Sequence, residues 1–190
     1  MKLTVFLSAL FFSLNLFAAN WTEDFEALKS VPRSYEDSGA ICEEIARLDV
    51  RKQFPAPQYV VEVGIAYGDT TRTIGELDIV VFDLQSQKVI RIGEVKCWKS
   101  LSGGLQKALD QRNRFTKVIR SNATVYFKST STGQMYDQAW FEGIKDFITI
   151  GQLGSVSEGY DQELGYTLRE LHEFSADMRD CQKEGVCAKP

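Results

Sequence analysis

The sequence predicts a single α/β domain with a mixed central sheet flanked by helices. Three observations carry that prediction. Consecutive segments between Tyr59 and Trp98 are rich in β-branched and aromatic residues and are parted only by short turn-forming stretches. Apolar residues at helical spacing stand on either side of them, at Ile41, Ile45 and Leu48 and again from Leu105 to about Val118. The 190 residues, 44% hydrophobic and 25% charged, suit one globular core and exclude a disordered tail or a coiled coil. No internal repeat, low-complexity run or domain boundary interrupts the chain.

Taken in order, residues 1–19 read as a signal peptide. Lys2 precedes an apolar run from Leu3 to Phe17, broken only by Thr4, Ser8, Ser13 and Asn15, and the small residues Ala18 and Ala19 follow. Leu16 or Phe17 falls where a small residue is preferred, so an uncleaved amphiphilic anchor is the alternative. No cysteine follows the run, which argues against a lipid-anchored precursor, and nothing later is long and apolar enough to span a bilayer. The expectation is a secreted or periplasmic protein with no membrane attachment after the leader is cut.

Residues 20–190 form the predicted domain. Asn20 to Ser34 reads as irregular, with a break at Pro32. A helix should start after Ser34 or Asp37 and run to about Lys52, ended by Phe54-Pro55-Ala56-Pro57. Strands are expected over Tyr59–Tyr67, Thr73–Phe82 and Lys88–Trp98, with turns at Gly68-Asp69 and Gln85-Ser86-Gln87 that suit antiparallel hairpins. Ser102-Gly103-Gly104 opens a second helix, and Ala123–Phe127 is a further short strand. The order α-β-β-β-α-β thus spans a core of about 35–128. Residues 129–190 read as a C-terminal helical extension, with helices over Gln134–Phe147 and Asp161–Asp180 and an edge strand at Ile148–Ile150.

A net charge of −4 argues weakly against a polyanionic partner, yet the charge is uneven. Between Lys88 and Lys128 ten basic residues face only Glu94 and Asp110, a net of +8, which leaves −12 on the rest. A basic stretch on an acidic body is expected where one face meets nucleic acid, although a solvated helix face can also be basic. Cys42, Cys97, Cys181 and Cys187 allow three full pairings; Cys181 with Cys187, enclosing a short loop, is the first expectation. No C-x-x-C spacing exists and His172 has no nearby thiol, so structural zinc is not expected.

Residues two apart on a strand share a face. That places Glu76 and Asp78 with Val80 and Phe82, and Glu94 and Lys96 with Ile90, Ile92 and Trp98, leaving Leu77, Ile79, Val81, Val95 and Cys97 opposite. Across a hairpin, three carboxylates and an ammonium would converge. Neighbouring carboxylates repel unless one is protonated or a cation joins them, and a divalent ion with oxygen ligands removes the conflict. A lysine on the same face can stabilise charge on a phosphodiester under attack. The alternative is a solvated hairpin end with ordinary ion pairs. His172, among Leu171 and Phe174, reads as a surface or packing residue, and no Gly-x-Ser-x-Gly is present. Trp98, Tyr126 and Trp140 read as core or rim residues rather than as base-stacking platforms.

Gly75-Glu76-Leu77-Asp78, a hairpin, then Gly93-Glu94-Val95-Lys96 resembles the PD-(D/E)XK nuclease signature, in the form found in Holliday-junction-resolvase-like members. The resemblance covers roughly Tyr35 to Lys128 and implies a restriction-endonuclease-like core. It implies a magnesium or manganese ion held by Asp78, Glu94 and the Val95 carbonyl, with Lys96 as the catalytic lysine and DNA as the substrate. Glu76 is a further ligand candidate, as is Glu44, preferred over Glu43 because it lies beside the Ile41, Ile45, Leu48 face. Gln106, Lys107, Gln111 and Arg112 on the following helix, with Arg72 and Lys99, are the candidate nucleic-acid contacts; the alternatives are that a glutamine orients water and that Arg72 caps the hairpin. Cys97 departs from the threonine or serine common after the lysine, and no proline precedes Asp78. Two other readings compete: a binding module with a decayed site, and a secreted interaction protein.

Overall fold

The computed structural model describes residues 20–121 and 123–190; the leader expected over 1–19 lies outside the described residues. Helix α1 (Trp21–Leu28) is capped by Asn20, whose side chain accepts from the Glu23 amide, and α2 (Ser38–Gln53) is capped by Asp37. Strands β1 (Tyr59–Gly68), β2 (Thr73–Asp83) and β3 (Lys88–Lys96) follow, then α3 (Leu101–Ile119) behind its Ser100 cap. Short strands β4 (Tyr126–Ser129) and β5 (Met135–Tyr136), strand β6 (Phe147–Gly151) and the two-residue β7 (Gln162–Glu163) precede α4 (Leu168–Lys183).

The strands form one open mixed sheet of seven, ordered β5-β4-β1-β2-β3-β6-β7. Pairing is antiparallel up to β3; β6 runs parallel to β3, and β7 parallel to β6. One face carries a core of Ile41, Ile45, Val63, Ile79, Val95 and Phe174, closed by α2 and α4. The other carries Ile65, Tyr67, Leu77, Val80, Ile92 and Phe115, closed by α3. Helices on both faces are what a sheet with two apolar sides requires.

The strand faces depart from simple alternation in two places. Val63 and Ile79 belong to the α2 side, whereas their strand neighbours two residues away, Ile65 and Leu77, belong to the α3 side. The switch falls at Gly64, whose φ of +73° is open to glycine, and where an added Cβ would lie 2.3 Å from the Thr130 hydroxyl. A bulge between β2 and β3, where the pairing shifts between Val81 and Phe82, likewise separates Ile90 from Ile92. Leu77 and Ile90 are therefore on the opposite faces from those that alternation gives.

Four element readings are corrected. Asn20–Ser34 is not wholly irregular, because Trp21, Phe25 and Leu28 recur at helical spacing and build α1 against Phe174 of α4. No helix spans Gln134–Phe147: Tyr136 and Phe141 are drawn onto Phe82 and Phe127 by ring stacking at 4.5 and 3.7 Å, and Gly143 turns the chain at φ +80°. The extension is consequently not just helical, since β5, β6 and β7 extend the sheet at both sides, and β6 lies inside it rather than at an edge. The last helix starts at Leu168, where Thr167 and Glu170 form a capping box, while Leu164 and Tyr166 turn into the core.

Cys42 is bonded to Cys97 and Cys181 to Cys187, the second being the pair that the short loop suggests. Two disulfides are compatible with an exported protein. Among the described residues no helix is long and apolar enough to cross a membrane.

Candidate active site

β2 and β3 pair only as far as Ile79 and Gly93; beyond that point β3 leaves β2 and continues beside β6, Glu94 to Lys96 facing Thr149 to Gly151. The fork leaves the Val95 amide without a partner from β2's backbone. The Asp78 side chain fills the gap, its Oδ2 accepting from the Val95 amide at 2.8 Å. The same oxygen accepts from Lys96 Nζ at 2.6 Å, and Nζ also donates to the Val95 carbonyl at 2.9 Å. Glu94 Oε2 stands 3.6 Å from Nζ, an ion-pair distance rather than a hydrogen bond. One ammonium thus sits among Asp78, Glu94 and the Val95 carbonyl.

All three side chains are withdrawn from water, Glu94 to 2% exposure, Asp78 to 7% and Lys96 to 9%. Both Glu94 carboxyl oxygens are buried without a hydrogen-bond partner. Burial first, and the Asp78 carboxylate second, push the Glu94 carboxyl up to about 9. Burial pulls the Lys96 ammonium down, but the Asp78 and Glu94 carboxylates more than offset it, so it holds its charge more firmly than a free lysine. A buried carboxylate that accepts no hydrogen bond and shares its one ammonium with a second carboxylate costs several kcal/mol on an order-of-magnitude basis, and a divalent cation or a proton relieves it.

Of the two adjacent glutamates on α2, the preferred one lies elsewhere. Glu44 is clamped by Arg47 at 2.7 Å and Arg33 at 3.4 Å. Glu43, also paired to Arg33, is the one that senses the cluster: burial, then the Asp78 carboxylate, push it up to about 7. The reason is helical geometry. Glu44 flanks the face of Ile41, Ile45 and Leu48 and is buried against its two arginines, whereas Glu43, on the other side of the helix from those three and half-buried, is the one near Asp78. The disulfide marks the same relation, since Cys42 precedes Glu43 and Cys97 follows Lys96. Glu76 is exposed and accepts from the Thr130 hydroxyl at 3.3 Å, close enough to Glu43 to raise it further.

A cleft of about 640 Å³ opens along α2, lined by Arg33, Glu43, Glu44, Arg47, Glu62 and Thr130 among others; Glu43 and Glu44 reach it, while Asp78, Glu94 and Lys96 do not line it. Asp78, Glu94 and the Val95 carbonyl, with Glu43 at the side, are the groups that could hold a divalent ion, and the two orphaned Glu94 oxygens fit that use. Among the described residues no His, Cys, Asp and Glu group of three or more is already gathered at metal-binding distances.

The other candidates are scattered. Arg72 is exposed in the β1–β2 turn, beside Asp69, which accepts from its amide. Gln106 is exposed and donates to Asp110 at 2.9 Å. Gln111 lies on the inner side of α3 between Ala108 and Phe115, its Oε1 buried without a partner. Arg112 is half-buried, Lys99 is exposed, and Lys107 lies 4.5 Å above the Trp98 ring. Arg114, not singled out by sequence, is close enough to Tyr67 to ease a phenol that burial pushes up to about 12. No protein-family model, curated protein or solved structure matches the chain.

Proposed function

We propose that the chain is an exported, metal-dependent nuclease that hydrolyses phosphodiester bonds in DNA. The observation that carries the reading is the position of Lys96: its ammonium stands among the groups that the PD-(D/E)XK resemblance implies as ligands, the Asp78 and Glu94 carboxylates and the Val95 carbonyl. The order of elements from α2 to β4 agrees with the core that the same resemblance implies. The two disulfides and the leader-like residues 1–19 support export.

In this reading Asp78 and Glu94, with the Val95 carbonyl and Glu43 beside them, hold a magnesium or manganese ion. When bound, the ion supplies Lewis acidity toward the phosphoryl oxygen and makes a water more acidic. The chain's own residues do the rest. Asp78 fixes the end of β3 through the Val95 amide, so the carboxylates and the ammonium keep their mutual placement. Lys96, held cationic by two carboxylates, offers positive charge to the phosphodiester as negative charge grows on it. Burial keeps these groups largely dry, which strengthens each of those interactions.

The test is digestion of linear and circular DNA by the mature protein with magnesium, manganese or EDTA, beside Lys96→Ala. Cleavage that needs metal and is lost in the variant is expected, and cutting of circles assigns endonuclease action. A folded, metal-supplied protein that cuts neither substrate would sink the enzyme and leave a binding module.

A further inference from the structure

Trp98 stands apart from the other two tryptophans. Trp21 packs on Phe174 with centroids 4.6 Å apart and Trp140 on Phe82 at 5.8 Å, each within a core cluster. Trp98 belongs to neither cluster, is 41% exposed, and among the described residues its recorded ring contact is a cation, Lys107 Nζ at 4.5 Å from the ring centroid. An indole left this open is not filling a core.

Its backbone, by contrast, is held by a buried side chain. Gln152 follows β6 directly, and because β6 runs parallel to β3 with Gly151 opposite Lys96, its amide arrives beside Trp98. The Gln152 side chain accepts from the Trp98 amide at 3.1 Å and donates to the Trp98 carbonyl at 2.8 Å, while itself only 5% exposed. Two hydrogen bonds from one buried glutamine therefore fix the residue that carries the open ring. The ring is also rooted next to the site. A Cβ added at Gly104 of α3 would lie 3.4 Å from both the Lys96 and the Trp98 Cβ atoms, so these side chains leave the chain side by side under the same helical turn.

The neighbourhood is positive. Lys99 is exposed next in sequence, and Lys107 of α3 stands over the ring. A rigid aromatic face flanked by cations is the arrangement that stacks a nucleobase while neutralising its backbone, and it tolerates any base. A base inside a duplex already stacks on its neighbours, so a free protein ring selects one that is unpaired.

We infer that Trp98, positioned by Gln152 and flanked by Lys99 and Lys107, is a subsite that stacks an unpaired base adjoining the phosphodiester at Lys96. The substrate class is then a nucleic acid with a single-stranded segment at the cut. This rests on the nuclease reading above.

Fluorescence anisotropy of the full chain in EDTA tests it, with a labelled short oligothymidylate and a blunt duplex of similar length as probes, each titrated over a salt series. The oligothymidylate should bind more tightly than the duplex. Trp98→Ala should weaken oligothymidylate binding about 5- to 100-fold, leave the duplex within about twofold and keep the salt slope. Trp98→Phe should restore most of the loss, Gln152→Ala should reproduce part of it, and Lys107→Ala should lower the salt slope by about one. Melting temperatures check that the variants fold, and exposure of the ring predicts little change for Trp98→Ala. Steeply salt-dependent binding of both probes that Trp98→Ala leaves unaltered would overturn the stacking subsite and spare the nuclease. Failure of the wild-type chain to bind either probe would overturn both.

Discussion

Glu44 and Glu94 are withdrawn from water to the same degree, 3% and 2% exposed, and stand in opposite situations. Glu44 lies between Arg47 and Arg33, both of its oxygens hydrogen-bonded. Glu94 has neither oxygen bonded and shares one lysine with Asp78. A buried carboxylate with two guanidinium partners is finished: nothing further is needed to keep it charged, and its removal strands its partners. A buried carboxyl whose oxygens are unbonded is unfinished, and only a proton or a cation completes it. Burial by itself does not mark a site; a buried carboxyl left without hydrogen bonds is what sets Glu94 apart.

The widest separation should come from Glu94→Gln. The substitution keeps the shape and removes the charge, so metal-dependent turnover should fall about 10²–10³-fold while the melting temperature holds or rises. A lower melting temperature with turnover intact would make Glu94 a structural residue of the Glu44 kind. The Cys42–Cys97 bond joins the two regions, since it ties α2 to the end of β3 across 55 residues, whereas Cys181–Cys187 spans 6. By loop length, replacing the first pair with serines should cost about 4 kcal/mol and the second about 2, read from urea unfolding. The first should also lower turnover, because Glu43 and Lys96 each adjoin a half-cystine.

Glu44→Ala tests the other half of the comparison. It should destabilise the fold by about 2–3 kcal/mol, the usual cost of breaking a buried pair being reduced because its arginines are partly exposed, at 24% and 11%. Cation affinity, measured calorimetrically, should stay within a few-fold of wild type; a loss in step with Glu94→Gln would reinstate Glu44 as a ligand.

A further expected effect is on pH. Burial, with the Asp78 carboxylate, raises the Glu94 carboxyl from 4.5 to about 9 in the cation-free fold. The folded state favours the proton more than the unfolded chain does, so its contribution to stability is complete below the ordinary carboxyl range. That contribution is lost as pH rises through about 9. A divalent cation must displace the proton, so its affinity should climb up to about tenfold per pH unit across this window and level off above it. Melting curves in EDTA and in magnesium from acid to alkaline pH should diverge upward, and Glu94→Gln should abolish the divergence. Parallel curves in the wild type would show that no cation exchanges with that proton.

Much of this was legible in the residues. Strands β1, β2 and β3 fall within a residue or two of the expected ranges, and α2 and α3 bracket them, because their apolar periodicity is local and strong. Asp78, Glu94 and Lys96 were found together for the same reason: each stands at a strand position whose partner strand is the next in the chain. α1 is equally local, since Trp21, Phe25 and Leu28 recur at helical spacing. The stretch after Gln134 was not readable. Met135, Tyr136, Trp140 and Ile144 suit a helix locally, and only the stacking of Tyr136 on Phe82 and Phe141 on Phe127 turns them into a sheet edge and a turn.

The residues alone show that the chain is α/β, which segments are its central strands, and that two carboxylates and a lysine meet on neighbouring strands. Those follow from contacts close along the chain, where one side-chain period decides each outcome. The tertiary structure alone decided the rest. The positive φ at Gly64 and the β2–β3 bulge set which residues share a face, the pairing of β6 with β3 brought Gln152 to Trp98, and two arginines took Glu44 rather than Glu43 out of contention. Each of these depends on groups tens of residues apart, whose meeting is fixed by packing the whole core and leaves no periodic trace in the chain.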